Sequence, residues 1–273
     1  MENFGKTKVI DDRRMRVISA IPKDYDIIAV QEISNVHEMA DPGCPRNENS
    51  CPGHPNCNLV RNALERYLNQ EHGLNYKFVF TPQVKDERYL YIYNTDKVSL
   101  EQYGLMDDPV DSLPICALKP ENKGKMVRQP FRATFKAPKF DFVLLTVHTR
   151  PKVNIQELER LEYFYREAEK QGEPDVIILG DLNADCRTLK PADAMALRRP
   201  EYIWVVSDDS DTTVSPTDCA YDRFIFKGSS SEDFSGNWGI YKNIAENISD
   251  HYLIWPEFWK MRDTDNCWTQ EYL

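Results

Sequence analysis

Residues 175–186 read DVIILGDLNADC. Val176 to Leu179 are four apolar residues in a row, closed by Gly180. An apolar run that short, ending on glycine, suits a central strand covered on both faces. Just past the glycine come Asp181, Asn183 and Asp185, with Asp175 at the near end. Carboxylates and an amide gathered at the open end of a buried strand need a chemical reason.

The same design recurs outward from this strand. YDIIAVQE (25–32) is a near-continuous apolar strand that ends on Glu32. YKFVF (76–80) and RYLYIYN (88–94) are short aromatic strands, the second preceded by Glu87. FRATFK (131–136) and FDFVLLTVH (140–148) form a hairpin that leads to His148. YIWVVSD (202–208) is a further strand, Asp222 opens DRFIF, and Asp250 and His251 open DHYLIW. An isolated aspartate after a strand is most often a turn or a cap. Repetition over five apolar strands, each flanked by a carboxylate or histidine, weakens that explanation.

Helical periodicity marks three long segments and one short one. Residues 11–20 place Met15, Val17 and Ile18 inward; residues 58–73 place Leu59, Ala63, Leu64, Tyr67 and Leu68 inward. Residues 154–171 place Ile155, Leu158, Leu161, Tyr163 and Ala168 inward, and a small helical excursion is expected at 191–198. Residues 35–58 and 106–125 lack periodicity and read as loops. Alternating strands and helices argue for a layered α/β fold. Strands outnumber the long helices, which favours two packed sheets with helices outside over one doubly wound sheet. With no repeat and no long linker, residues 1–273 are expected to form a single domain, carrying a cysteine-rich insertion near 40–58 and an irregular loop near 106–127.

The chain of 273 residues has a net charge of -10. That balance disfavours passive nucleic-acid binding, which is driven by phosphate neutralisation. It does not exclude an enzyme whose bound cations supply the positive charge. No run of about 18 apolar residues is present, so no membrane span is expected. The stretch MENFGKTKV lacks the apolar core of a signal peptide. Seven cysteines, an odd number, leave at least one thiol unpaired in a monomer unless a metal or a second chain takes it. Carboxylate and amide oxygens suit hard cations such as Mg²⁺, Mn²⁺ or Ca²⁺. The two strand-end histidines could each meet a carboxylate, which orients an imidazole and raises its basicity.

In sequence order, QE (31–32), ERYLYIY (87–93), LLTVH (144–148), GDLNADC (180–186), DTT (211–213), CAYDR (219–223) and SDH (249–251) resemble the motifs of deoxyribonuclease I and, more widely, of the endonuclease/exonuclease/phosphatase superfamily. The likeness runs from Phe4 to about Phe258, and GDLNADC and CAYDR are specific to the deoxyribonuclease I branch. The resemblance implies a four-layer α/β sandwich of two mainly antiparallel sheets with helices outside. It implies divalent-metal-dependent, endonucleolytic cleavage of DNA with little sequence preference by a monomer. By the same resemblance Glu32, Asp181 and Asp250 are ligands of a catalytic Mg²⁺ or Mn²⁺, and Asn183 acts with Asp181 on the scissile phosphate. His251 with Asp222, and His148 with Glu87, are the implied histidine–carboxylate pairs. Asp211 and Thr213 match a structural Ca²⁺ site, and Cys186 with Cys219 match a bridged pair; two merely neighbouring thiols are the alternative.

The sequence also departs from that pattern. The family places a strand with an active-site asparagine ahead of Phe4 and Gly5. Either the native chain extends upstream, or that strand and its asparagine are missing. Ser34 and Lys85 stand where the family has groove-reading residues, so duplex binding is expected to rest on backbone charge. Gln129 replaces a glutamate of a second Ca²⁺ site. In the insertion, Cys44, Cys51, His54 and Cys57 have three readings: a Zn²⁺ site, one disulfide with a spare thiol, or free cysteines. The family's enzymes are secreted, while the visible terminus carries no signal. The competing functions are an exonuclease III-like or other phosphoesterase with the same metal chemistry, and a catalytically weak binding domain on the same fold.

Overall fold

The computed structural model describes residues 4–34, 59–108, 126–190, 193 and 195–265. The chain divides into two units: Met1–Val98 with Thr213–Thr217 and Lys242–Tyr252, and Ser99–Thr212 with Asp218–Tyr241 and Leu253–Leu273. The cysteine-rich insertion with Cys44, Cys51, His54 and Cys57, and most of the 106–127 loop, lie outside the described residues.

The first unit is built on a three-stranded antiparallel sheet. Its strands are β1 (Ile27–Ser34), β2 (Tyr76–Phe80) and β3 (Glu87–Asn94), in the order β1-β3-β2. Helices α1 (Lys6–Val9), α2 (Asp12–Ala20) and α3 (Leu59–Leu64) belong to it, and α3 runs on into a π-helical turn, Glu65–Gln70. The Asp11 carboxylate caps α2 by accepting from the Arg13 and Arg14 N–H groups. Met15 and Ile18 are buried as expected, but Val17 is 46% exposed, so the stripe is narrower than the periodicity suggested. In α3, Val60 takes an inward place that the pattern gave to Leu59 and Ala63, and Leu64, Tyr67 and Leu68 are buried as expected.

The second unit holds a six-stranded sheet: β4 (Ser99–Leu105), β5 (Phe131–Ala137), β6 (Phe140–Thr146), β7 (Val176–Asp181), β8 (Ile203–Trp204) and β9 (Asp222–Phe226), in the order β4-β5-β6-β7-β9-β8. Only the β6–β7 pair is parallel, because α4 (Asn154–Glu169) carries the chain across between them. A short helix, α5 (Ser229–Asp233), leads into a separate hairpin of β10 (Phe234–Tyr241) and β11 (Leu253–Phe258). Val176 to Leu179 are all buried, as a strand covered on both faces requires. Leu158, Leu161, Phe164 and Ala168 of α4 pack with Val143, Leu145, Val176 and Ile178 into one core.

The expected strand at 202–208 shrinks to Ile203–Trp204, and the helical excursion near 191–198 to a 3₁₀ turn at Ala196–Arg198. The inward face of α4 also differs from the expected one. Ile155 is 41% exposed, and two charged residues, Glu157 and Arg160, are buried instead. Each has a partner that an apolar count cannot see. Arg160 Nη2 meets Asp108 Oδ1 at 2.5 Å, and Glu157 accepts the Val127 N–H at 2.7 Å and the Arg150 N–H at 2.5 Å. Burial pushes the Glu157 carboxyl above its ordinary pKa while those two donors pull it back.

Glu157→Ala should therefore cost roughly 3 kcal/mol, since it strands two backbone donors inside the fold. Glu157→Gln, which keeps an acceptor, should cost clearly less. Urea unfolding of both variants checks this, and an alanine variant as stable as wild type would remove the role.

Candidate active site

The end of β7 is fixed before any ligand is considered. The Thr149 N–H donates to the Asp181 carbonyl at 3.0 Å, extending the β6–β7 ladder past the end of β6. That extension brings His148 beside β7, with Nε2 at 3.4 Å from Asp181 Oδ2. The other oxygen, Oδ1, accepts the Asn183 N–H at 2.8 Å and tightens the turn. Asn183 has φ +47, a left-handed conformation that asparagine tolerates better than most residues. Its side-chain amide donates to the Thr149 carbonyl at 3.0 Å, and its own carbonyl accepts from the Asn154 amide at 2.8 Å and from the Thr188 hydroxyl. On the other side, Asp222 is the register partner of Asp181 in the β7–β9 pairing.

Asp222 is held from behind by residues of the same unit. The buried Thr212 hydroxyl accepts the Tyr221 N–H at 3.0 Å and the Asp222 N–H at 3.2 Å. Arg223, fully buried, donates to the Ala184 carbonyl at 2.9 Å and the Val206 carbonyl at 2.5 Å, and pairs with Asp208 at 2.8 Å. Asp185 Oδ2 accepts the Ala220 N–H at 2.7 Å. A disulfide joins Cys186 to Cys219, with Cα atoms 5.8 Å apart. The turn after β7 and the loop before β9 are thus tied by a covalent bond, a guanidinium and a carboxylate. Burial first, then the charges of Asp181 and Asp185, push the Tyr221 phenol above its ordinary pKa.

The first unit presents its own acidic group. Glu32 sits in β1 at φ +57, where the pairing with β3 shifts register between Val30 and Ile33. A bulge of this kind turns a side chain out of the strand's alternation. The Phe4 N–H donates to the Glu32 carbonyl at 2.9 Å, tying down the strained residue. Glu87 starts β3 after a two-residue turn closed by the Val84–Glu87 bridge, with Lys85 at φ +66. A carboxylate oxygen of Glu32 and one of Glu87 lie within 4.8 Å of each other. His251 forms an isolated β-bridge with Thr213, and the Val214 N–H donates to the Asp250 carbonyl at 2.7 Å. His251 Nε2 lies 4.0 Å from Asp250 Oδ2.

Of the expected residues, His148, Asp181, Asn183, Asp211 and Asp222 belong to the second unit, and Glu32, Glu87, Thr213, Asp250 and His251 to the first. His148, Asp181, Asn183 and Asp222 come together at one sheet end. Thr213 is buried, its hydroxyl donating to the Thr217 carbonyl at 2.6 Å. Sequence reasoning missed Thr212 and Arg223 as supports, although both lie inside the quoted motifs DTT and CAYDR. An arginine next to a strand's opening aspartate was the available signal. The donor set, carboxylates with imidazole nearby, fits a hard divalent cation.

Residues 3–251 match the sequence profile of the endonuclease/exonuclease/phosphatase family, and the chain belongs to it. Deoxyribonuclease-1 of Oryctolagus cuniculus is 27% identical over 276 residues, covering 93% of this chain and 88% of that one. Deoxyribonuclease-1-like 2 of Homo sapiens is 30% identical over 283 residues, with coverage of 93% and 88%. Within the family, the chain falls in the deoxyribonuclease I-like branch. A solved mannosyl-6-phosphatase of Bacteroides thetaiotaomicron superposes with a TM-score of 0.61 at 16% identity, over 94% of this chain and 96% of its own. That likeness concerns the fold, and it spans both units.

Opening the Cys186–Cys219 bond should lower stability by roughly 3–4 kcal/mol, from the loop it closes in the unfolded chain. Unfolding of a Cys186→Ser/Cys219→Ser variant against wild type measures it. A loss below about 1 kcal/mol would mean that the non-covalent ties suffice.

Proposed function

We propose that this protein is a divalent-metal-dependent endonuclease that hydrolyses DNA phosphodiester bonds with little sequence preference. Membership of a family of hydrolytic phosphodiesterases supports the reaction class. The observation that carries the reading is the group at the end of β7: His148 beside Asp181, Asn183 locked in its turn, and Asp222 in register.

Glu32, Asp181 and Asp250 are the residues that would hold Mg²⁺ or Mn²⁺. Such an ion supplies charge stabilisation and a nucleophile at neutral pH, which an acidic site needs to accept an anionic diester. The chain's own residues do the rest. His148 and His251 move protons, one from the attacking water and one to the leaving oxygen. Glu87 and Asp222 take the orienting roles that the resemblance gives them. Asn183 contributes to holding the scissile phosphate, its position set by the backbone of Thr149 and Asn154's amide rather than by substrate. Asp211 and Thr213 are proposed as ligands of a structural Ca²⁺. With Ser34 and Lys85 at the groove-reading positions, affinity rests on phosphate charge.

Plasmid nicking should require Mg²⁺ or Mn²⁺ and stop after exhaustive chelation. Undiminished cleavage in EDTA would sink the reading. His148→Ala and His251→Ala should each lower kcat by roughly 10²-fold or more with folding little changed. Steady-state kinetics and thermal unfolding together decide this, and near-wild-type turnover of either variant would make that histidine structural.

A further inference from the structure

A second acidic cluster lies at the opposite end of β7, about 20 Å of strand away from Asp181 at the usual rise per residue. Asp175 precedes the strand, Glu173 comes two residues earlier, Asp233 ends α5, and Asp263 and Asp265 follow β11. One oxygen from each of Asp175, Asp233 and Asp263 lies within 4.8 Å of the other two, and the same holds for Glu173, Asp175 and Asp265. All five belong to the second unit.

We propose that this cluster is a structural Ca²⁺ site, with Asp175 as the shared ligand of both triads. Carboxylates crowded together do not by themselves make a site. The further observation is Asp175 itself, which is wholly buried and has an orphaned oxygen. Its Oδ1 accepts from the Ser229 and Ser230 hydroxyls at 2.7 and 3.0 Å, while Oδ2 is buried with no hydrogen-bond partner. Asp233, also wholly buried, repeats the arrangement. Its Oδ2 accepts from the Thr264 N–H at 3.2 Å and hydroxyl at 3.0 Å, leaving Oδ1 without a hydrogen bond. Buried carboxylate oxygens left this way are costly unless a cation meets them.

Among the described residues neither Asp175 Oδ2 nor Asp233 Oδ1 has a hydrogen-bonded cation. Arg262 Nε approaches Asp233 Oδ1 only to 3.7 Å, and Lys136 Nζ reaches Asp141, beside the cluster, at 4.0 Å. The spacing suits an ion. Ligands about 2.4 Å from a calcium are at most about 4.8 Å apart, the limit within which these oxygens fall. Calcium fits better than magnesium, because each triad brings three carboxylates together, whereas magnesium keeps most of its waters. Neither imidazole nor thiolate is in either triad, which argues against zinc. An ion here would pin the 259–265 segment to the start of β7.

The test uses the full chain freed of metal by chelation and dialysis. CaCl₂ is titrated by calorimetry and followed by thermal unfolding, with MgCl₂ in parallel. The Asp263→Asn/Asp265→Asn variant alters the less buried ligands and should fold, whereas Asp175→Asn serves as a second variant if it does. Wild type should bind one more Ca²⁺ than the double variant, and at least half of its Ca²⁺-dependent rise in Tm should vanish in that variant. Equal Ca²⁺ stoichiometry and an equal rise in Tm in the two proteins would overturn the site. Equal filling by Mg²⁺ at the same concentration would overturn the choice of calcium.

Discussion

The guanidinium of Arg223 is where the sheet and the chemistry meet. It is fully buried, yet it reaches the Ala184 carbonyl in the turn after β7, the Val206 carbonyl after β8, and the carboxylate of Asp208. Burial lowers its pKa and Asp208 raises it again, the signature of a desolvated cation held by a partner. Arg198 also pairs with Asp208, at 2.9 Å, and stacks over Trp204 with its guanidinium carbon 3.8 Å from the ring centroid. Just past β8 the Val205 N–H still donates to the Phe224 carbonyl at 3.0 Å, and the Val206 carbonyl accepts from Arg223. Breaking such a pair from one side leaves a buried charge alone, at a cost of about 3–5 kcal/mol.

Local ties of other kinds let the chain sustain backbone that it would not choose on its own. The described non-glycine residues with positive φ are Glu32, Lys85, Asn183 and Cys186. Three of them are a proposed metal ligand, a proposed phosphate contact and a disulfide cysteine; the fourth forms the turn before Glu87. Conformations of this kind persist only where the surroundings over-determine them. Here the constraints are visible: Phe4 on Glu32, Thr149 and Asp181 on Asn183, and the disulfide on Cys186. The positive φ values place Glu32 at the bulge of β1 and Asn183 in the turn after β7.

Much of this was legible in the sequence, because burial and chemistry leave different marks. β7, β3, the β5–β6 hairpin and α4 were readable from apolar runs and helical spacing, and the acidic strand ends from composition. β4 and β10 were not. Their residues, SLEQYGL and FSGNWGIY, are largely exposed or half-buried and show neither alternation nor an apolar run. Apolar periodicity also misplaced Ile155, since the buried stripe of α4 includes Glu157 and Arg160, which have partners 30 and 52 residues away. The bulge that places Glu32 is invisible to pattern reading for the same reason: it is set by pairing with β3 and by Phe4. The acidic group around Asp175 was hidden because its members are spread from Glu173 to Asp265 in the chain.

The account's central claim is that the constrained end of β7 performs phosphodiester hydrolysis. Its most direct test is the rate at which wild type and Asp181→Asn convert supercoiled plasmid to nicked circles in Mg²⁺. The amide keeps an oxygen for the Asn183 N–H, so the turn and the melting temperature should be nearly preserved while the carboxylate charge is lost. The account predicts a fall of at least roughly 10²-fold in the nicking rate, the scale expected when a charge that stabilises the transition state is removed. Nicking by Asp181→Asn at the wild-type rate, in protein that melts as wild type does, would contradict it.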